Sequence, residues 1–397
     1  MASASAPTRH SAVGAGARSR RGPLGRLVLL AVLVGWTVLL ALFFSTSVAA
    51  RTLLFLPDMF PNAPVRPITA VTPAPRCEEV TYAYADTEAV ADLCAPAGPG
   101  RHPAIVLTLG VHPLDRHDPF LVRLHDGLTR TNLVVLRPQS PDLTAGRVVP
   151  REIDGLVAAF KLLQARPEVD GRRIGLAGFS VGGALSTVAA ADPRIRDAVR
   201  LVYSFGAYYD AFSVLDAIAD HQVEYGSAVL PWTPHPWSVH VFAEQIISTM
   251  PEGPERDYLT ALLRDESAAR PPPWPLTSLG EQVYALLTGE RPVDGATLRA
   301  LLPAATREVF WRLSPAAVVH ELRAPMYVMH DVGDTLIPFT ESRRLIENLP
   351  PDVPRRYAEF SLFDHVMPRD LGEALSSLHE LADLYQYLHE VFLALAE

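Results

Sequence analysis

RRIGLAGFSVGGALSTVAA, residues 172–190, predicts a short buried strand, a tight turn and a helix of small residues. The turn, Gly178-Phe-Ser-Val-Gly182, matches the pattern G-x-S-x-G. In that setting the glycines permit a sharp turn that lifts the serine hydroxyl above the sheet. The pattern alone is a weak signal, but its place between a strand and a helix favours a nucleophile over an ordinary glycine-rich turn. We therefore predict Ser180 as a nucleophile.

Outward from this turn, short apolar runs alternate with helical patterns. The runs at 103–109, 132–136 and 201–205 are typical of buried strands. Such alternation predicts βαβ units and a mostly parallel sheet flanked by helices. The alternation stops after residue 206 and resumes at 325–330, so we predict that residues 207–312 form a helical cap inserted over Ser180.

A serine hydroxyl needs a general base and a group that orients this base. In open α/β sheets such groups gather at the carboxyl ends of the strands, and after a serine elbow the acid precedes the histidine along the chain. Asp334 follows the next-to-last predicted strand and His365 follows the last. We therefore predict Asp334 as the acid and His365 as the base.

These segments resemble the α/β-hydrolase superfamily, in its dienelactone-hydrolase and serine-esterase-like branch. The resemblance rests on residues 172–190, on LSPAAVVHELRAPMYVMHDVGDTLIP at 313–338 and on FDHVMP at 363–368. It implies an α/β-hydrolase core formed by residues 77–206 and 313–397, and a serine hydrolase activity. It does not cover the insertion.

The resemblance also bears on the neighbours of the triad. It implies that the backbone N–H groups of Val181 and Val111 bind the oxyanion. The family usually has glycine at Asp331, so which aspartate orients the histidine stays open, and Asp210 follows a strand end where some relatives place the acid. A strict dienelactone hydrolase has cysteine at Ser180, so that activity is not implied.

The N-terminal segment predicts a membrane anchor. Residues 1–26 carry five arginines and no acidic residue, and Leu27–Ala50 is uncharged. About 20 apolar residues span a bilayer as a helix, and the basic flank stays in the cytoplasm. We predict a basic cytoplasmic tail, a single-pass transmembrane helix at 27–50, a proline-rich linker at 51–76 and an extracytoplasmic catalytic domain. The alternative is a cleaved signal peptide and secretion, with a cleavage site at Ser47-Val-Ala49.

The two cysteines, Cys77 and Cys94, flank a predicted hairpin. Alternating residues on either side of a turn at Ala85-Asp-Thr87 predict two strands that place the cysteines opposite each other. Cross-strand cysteines can meet disulfide geometry, and an exported protein meets an oxidising compartment. The alternative is two unpaired buried thiols.

Composition excludes several other functions. The net charge of −9 does not suggest nucleic-acid binding. Lys161 is the only lysine. Because it lies in a predicted helix, a solvent-exposed side chain is a simpler interpretation than a catalytic lysine that forms a Schiff base. No cofactor is predicted, and no metal, because the polar cluster near residues 112–118 matches no strong ligand spacing.

The insertion holds four of the five tryptophans, which can line a substrate pocket or form the insertion's own core: Trp232, Trp237, Trp274 and Trp311.

Together these features predict a membrane-anchored serine hydrolase that cleaves a small-molecule ester through an acyl-enzyme. The same triad can perform acyl transfer or peptide cleavage, because the choice of acceptor depends on the pocket. The alternative of another class is a catalytically silent hydrolase fold that serves as a binding domain.

Overall fold

The computed structural model describes residues 47–111, 116–265, 272 and 274–397, together with positions 32, 35 and 43. The chain divides into Met1–Thr46 and Ser47–Glu397, and the elements below belong to the second unit. Within the described residues, no helix has the length and apolar character needed to cross a membrane. The predicted anchor, Leu27–Ala50, lies outside them except at positions 32, 35, 43 and 47–50.

A mixed sheet of eight strands forms the centre of the second unit, in the order β1-β2-β4-β3-β5-β6-β9-β10. The strands of the described chain are β1 (Arg76–Tyr84), β2 (Thr87–Ala95), β3 (His102–Thr108), β4 (Val134–Gln139), β5 (Val169–Phe179), β6 (Val199–Phe205), β7 (Gln222–Tyr225), β8 (Ala228–Pro231), β9 (Met326–Asp331), β10 (Arg355–Phe360), β11 (Phe363–Asp364) and β12 (Met367–Pro368). The sheet is parallel from β4 to β10, and β2 pairs antiparallel with β1 and β4. This architecture confirms the predicted α/β-hydrolase fold.

Helices cover both faces of the sheet. They are α1 (Val48–Phe55), α2 (Pro67–Val71), α3 (Pro119–Arg130), α4 (Pro141–Thr144), α5 (Arg151–Ala165), α6 (Val181–Ala190), α7 (Ala211–Asp220), α8 (Pro236–Ser248), α9 (Pro254–Arg264), α10 (Ser278–Thr288), α11 (Gly295–Leu301), α12 (Ala304–Leu313), α13 (Thr340–Glu347), α14 (Leu371–Ser376) and α15 (Leu378–Ala396). Short 3₁₀ helices occupy Leu56–Met59, Pro315–Ala317 and Val319–Glu321.

Strand β3 shows how the sequence forms two cores. Ala104 and Val106 pack with α5 and α6 on one face, whereas Ile105 and Leu107 pack with α3 and α15 on the other. Successive side chains of a strand point to opposite faces, and a strand covered on both faces is a continuous apolar run. The unbroken burial of β3 therefore follows directly from its composition.

The segment 51–76, predicted as a linker, instead packs against the domain. Its first residues complete α1, where Phe55 makes an edge-to-face contact with Phe392 of α15 at 5.8 Å between ring centroids. Prolines suggested an irregular chain, but Pro57 and Pro67 occupy the first turns of short helices, where a missing N–H costs nothing. Val48–Ala50, the end of the predicted anchor, also belongs to α1.

The N-terminal hairpin has the predicted form. Strands β1 and β2 pair in a register that sets Cys77 opposite Cys94, and the two residues form a disulfide with a Cα–Cα distance of 4.1 Å. The turn lies at Ala85 and Asp86, with Ala85 at φ 48°. The disulfide joins the edge strand β1 to β2, and β4 and β3 lie between β2 and β5.

The insertion, residues 207–312, contains α7 to α12 and the hairpin β7–β8. The sequence pattern did not predict this hairpin, because two strands of four residues are too short to show clear alternation. Helix α8 is the element that approaches the carboxyl edge of the main sheet, where Ser180 lies.

Candidate active site

Ser180 occupies the sharp turn between β5 and α6, with φ 56° and ψ −133°. A positive φ is rare for a residue with a side chain and typical of functional positions. The backbone fixes the turn, because Ser180 N donates to Phe205 O at 2.7 Å and Gly183 N donates to Ser180 O at 2.9 Å. A Cβ at Gly178 would lie 2.2 Å from the carbonyl oxygen of Gly182, so the turn requires glycine there.

The loop after β3 lies directly against Ser180. A Cβ at Gly110 would lie 2.6 Å from the Cβ of Ser180 and 3.0 Å from its Oγ. Val111 and Val181, the two predicted oxyanion residues, line one cavity with Ser180. Val181 is the first residue of α6, so its N–H has no acceptor within the helix.

His365 follows β11 in a loop, and its side chain is buried. Its Nδ1 lies 2.5 Å from Oδ2 of Asp334. Because a carboxylate can only accept, Nδ1 carries the proton and donates. Its Nε2 has no hydrogen-bond partner among the described residues, and His365 lines the cavity that contains Ser180. The ring is therefore held in the tautomer whose unprotonated nitrogen is free to accept a proton.

Asp334 is buried and accepts four hydrogen bonds. Its Oδ1 accepts from the backbone N–H groups of Leu336 at 2.8 Å and Ile337 at 3.0 Å. Its Oδ2 accepts from His365 and from His330 Nε2, the latter at 3.0 Å. Burial would raise the pKa of Asp334, but the facing imidazole of His365 and the hydrogen bonds from both histidines lower it below its usual value. The carboxylate therefore stays ionised.

His330 is a second histidine at this carboxylate that sequence reasoning missed. Its Nε2 lies 3.0 Å from both Asp334 Oδ2 and Ile337 O, and its Nδ1 lies 2.7 Å from Ser342 Oγ. Two acceptors at Nε2 place the proton there, so Nδ1 accepts from the serine. As the fifth residue of the apolar strand β9, His330 had the appearance of a core residue. The only signal was its spacing of four residues from Asp334.

The alternative acids, Asp331 and Asp210, have other partners. Asp331 is buried, and its carboxylate accepts from the backbone N–H groups of Gly333 at 2.9 Å and Phe363 at 2.8 Å. Asp210 caps α7 by accepting from Phe212 N at 3.0 Å. Neither carboxylate makes a hydrogen bond to an imidazole among the described residues. Asp331 instead joins the loops that carry Asp334 and His365.

Next to Ser180 is a cavity of about 310 Å³, in the size range of small-molecule sites. Its walls are almost entirely apolar and come from three parts of the chain. The N-terminal segment supplies Met59 and the insertion supplies Trp237, Ser238, Val241 and Phe242 of α8. Apart from Tyr208 at the start of the insertion, the remaining lining residues come from the core and include Leu109, Phe120, Leu121, Leu124, Phe179, Phe205, Leu336, Ile337, Val366 and Met367.

The insertion is fastened to the loop that carries Asp334. Three consecutive carbonyls accept from it at 2.8 Å each: Asp334 O from Trp232 Nε1, Thr335 O from His235 N, and Leu336 O from Ser238 Oγ. Trp237 Nε1 also donates to Val111 O at 3.4 Å. The insertion thus contacts both the acid loop and the loop after β3.

The four tryptophans of the insertion have different surroundings. Trp237 lines the cavity and stacks on His240 at 5.0 Å, and Trp232 bonds to the acid loop. Trp274 and Trp311 are 41% and 52% exposed. Only one of the four therefore lines the cavity beside Ser180.

The polar cluster before α3 is partly described. His112 and Asp115 lie outside the described residues. Asp118 caps α3 by accepting from Phe120 N at 2.9 Å and Leu121 N at 3.3 Å. Within the described parts of the chain, no group of three or more His, Cys, Asp or Glu residues is placed to hold a metal ion.

Comparison with known proteins found no matching family model and no matching curated protein. Among solved structures, the chain is similar to 2,6-dihydroxy-pseudo-oxynicotine hydrolase, with 16% identity and a TM-score of 0.48 over 83% of this chain and 72% of that chain. It is also similar to a mutant of the esterase rPPE, with 16% identity and a TM-score of 0.47 over 87% and 89% of the two chains. A third similar structure is acylaminoacyl peptidase of Pyrococcus horikoshii, with 14% identity and a TM-score of 0.45 over 75% of this chain and 39% of that chain. These values describe a distant likeness and carry no information about substrate.

Proposed function

We propose that the protein is a serine hydrolase that cleaves carboxylic esters through an acyl-enzyme. Ser180 is the nucleophile, His365 the general base and Asp334 the acid that orients it. One observation carries the proposal: the buried Asp334 holds His365 by Nδ1 and leaves Nε2 open in the cavity that contains Ser180. In the proposed reaction this open Nε2 takes the proton of the Ser180 hydroxyl during the attack, although no hydrogen bond joins the two side chains among the described residues.

In the first step, Ser180 Oγ bonds to the ester carbonyl carbon while His365 Nε2 takes the hydroxyl proton. The imidazolium that forms is stabilised by the ionised Asp334. Asp334 can serve in this way because its other oxygen is fixed by two backbone N–H groups, so it does not need to reorganise as charge develops.

The tetrahedral intermediate carries its negative charge on the former carbonyl oxygen. The N–H groups of Val181 and Val111 are the proposed donors, since both residues line the cavity at Ser180 and one opens a helix. His365 then returns the proton to the leaving alkoxide. In the second step, His365 Nε2 takes a proton from water while the water oxygen bonds to the acyl carbon, and it then returns the proton to Ser180 Oγ as the C–O bond breaks and the free acid departs.

The lining of the cavity favours an ester over a peptide. A peptide carries N–H and C=O groups that cost roughly 1–3 kcal/mol each when buried without partners. The residues around the cavity beyond the triad are nearly all apolar, and the hydroxyl of Ser238 already donates to Leu336 O. Acyl transfer would use the same triad and differ only in the acceptor that replaces water.

The location is also a proposal: residues 27–50 anchor the protein and residues 51–397 lie outside the cytoplasm. The arginine-rich tail and the uncharged run support it, and so does a disulfide, which persists in an oxidising compartment. Cleavage after Ala49 would remove Ser47, whose side chain caps α1, so an anchor fits better than a cleaved signal. A C-terminal reporter that is active only in the cytoplasm should be silent.

The activity is tested by labelling with a fluorophosphonate probe. The wild-type protein should label, and Ser180→Ala should not label while keeping its thermal stability. Ser186→Ala is the matched control, because Ser186 is a buried serine on α6 that should not react. Loss of the nucleophile should lower kcat by roughly 10⁵–10⁶ on an ester panel. A folded wild-type protein that neither labels nor hydrolyses any ester would leave the binding-domain alternative.

A further inference from the structure

Three side chains that line the cavity at Ser180 also line a second cavity. The first has a volume of about 310 Å³ and the second about 50 Å³. Met59, Leu124 and Phe179 line both of them. These three side chains therefore form a partition between the substrate cavity and a smaller space deeper in the domain.

The second cavity lies between the sheet and the helices on one face. Its lining is apolar apart from the hydroxyl of Tyr203, which donates to Met329 Sδ at 3.0 Å. The other lining residues come from the strands, from α1, α3 and α15, and from the segment before β4: Phe55, Ile105, Leu107, Leu128, Leu133, Ala177, Leu201, Leu388, Val391, Phe392 and Leu395. Such a space accepts hydrocarbon and excludes polar groups.

We propose that the acyl chain of the substrate runs from Ser180 toward this partition and that Met59 sets the longest chain the enzyme accepts. The substrates are then esters of fatty acids. This inference rests on the proposed esterase function. The part of the substrate bonded to Ser180 must stay bound while the alcohol leaves, and a pocket closed at its far end suits the part that stays.

Met59 is the member of the partition best able to act as such a stop. It belongs to the N-terminal segment rather than to the strands or α3, it is buried, and it is the last residue of a short 3₁₀ helix. Methionine is flexible and fills irregular gaps. Leu124 is fixed on α3 and Phe179 adjoins the nucleophile, so Met59 can be replaced with the least disturbance to the site.

The chain length should govern the rate in a stepwise manner. Each methylene moved from water into the cavity should raise kcat/KM about fourfold, until the chain meets Met59. Beyond that length the gain should stop. Met59→Ala should join the two cavities, move the optimum to longer chains by two or more carbons and raise kcat/KM for those esters about tenfold.

The test uses p-nitrophenyl esters from acetate to palmitate on the full chain. Met59→Leu keeps the volume and should keep the wild-type profile. Leu128→Ala enlarges only the second cavity, since Leu128 does not line the first, and should not move the optimum. In the Met59→Ala background, Leu128→Phe should refill the space and shift the optimum back. Should Met59→Ala fail to fold, Leu124→Ala opens the same partition and should give the same shift.

The outcomes separate this inference from the proposed function. If the wild-type protein and Met59→Ala both label with fluorophosphonate and hydrolyse p-nitrophenyl acetate, but share one chain-length profile, the inference is wrong and the esterase function stands. Acetate esters of alcohols of increasing length serve as the comparison series: a rate that responds to the length of the alcohol and not to that of the acyl chain would also overturn the inference. Absence of labelling in every folded variant overturns the esterase function itself.

Discussion

The two halves of the candidate site are built in different ways. The half from the core holds the candidate polar groups: Ser180 occupies a strained backbone turn, and Asp334 accepts four hydrogen bonds, one of them from His365. The half from the insertion supplies mainly apolar surface from α8, and it reaches the core through bonds to backbone carbonyls. The core half fixes the positions of the charged and polar groups, whereas the insertion half shapes the apolar wall of the cavity.

This difference implies that the two halves affect different kinetic constants. Groups that stabilise developing charge must be oriented before the reaction, so their loss should lower kcat. Apolar walls bind the substrate and its transition state about equally, so their loss should mainly raise KM. Changes in the core half should therefore be larger and different in kind from changes in the insertion half.

The largest contrast is expected between two aspartates of one loop. Asp334→Asn should lower kcat/KM by about 10⁴, because the amide cannot hold the required imidazole tautomer. Asp331→Asn should lower kcat/KM by less than about tenfold and mainly reduce stability, by about 1–3 kcal/mol, since its bonds join two loops. Steady-state kinetics and thermal melts of both variants decide this. A larger loss of kcat for Asp331→Asn would reverse the assignment of the acid.

A smaller loss should follow from His330→Phe. The imidazole donates to Asp334 and accepts from Ser342, and a hydrogen bond to a charged group is worth about 1.5–3 kcal/mol, so kcat/KM should fall by roughly 10- to 100-fold. His330→Gln is the matched variant, since an amide can still donate to the carboxylate, and it should recover part of kcat. If both variants lose stability but keep the wild-type kcat, His330 only supports the fold.

The sequence was informative where function depends on chain position and uninformative where it depends on packing. Ser180, Asp334 and His365 each follow a strand, and a parallel sheet brings the carboxyl ends of its strands to one edge. Their meeting could therefore be expected from the order of the elements. Met59 reaches the cavity only because a proline-rich segment packs into the apolar cluster on one face of the sheet, and no local sequence pattern predicts such a contact. The strands β7 and β8 were not predicted for a different reason: with four residues each, they are too short to show clear alternation.

In the insertion half, Trp237→Ala should raise KM for apolar esters about tenfold and change kcat less than threefold, because the indole contributes apolar wall. Trp311→Ala is the matched control, since that side chain is 52% exposed and does not line the cavity, and it should leave both constants unchanged. A fall in kcat with an unchanged KM would show that Trp237 acts on the reaction through its contact with Val111.

The smallest kinetic effect is expected from a region outside both halves. Replacing Cys77 and Cys94 together by serine removes a link across 17 residues, which should lower the free energy of unfolding by about 3 kcal/mol. The hairpin lies at the edge of the sheet, with three strands between β1 and β5, so kcat and KM should match the wild-type values at a temperature where both proteins are folded. Reduction of the wild-type protein should reproduce the loss of stability. A loss of kcat in the folded double variant would mean that the edge strands help to position the site. The site would then depend on three regions of the chain rather than on the core and the insertion alone.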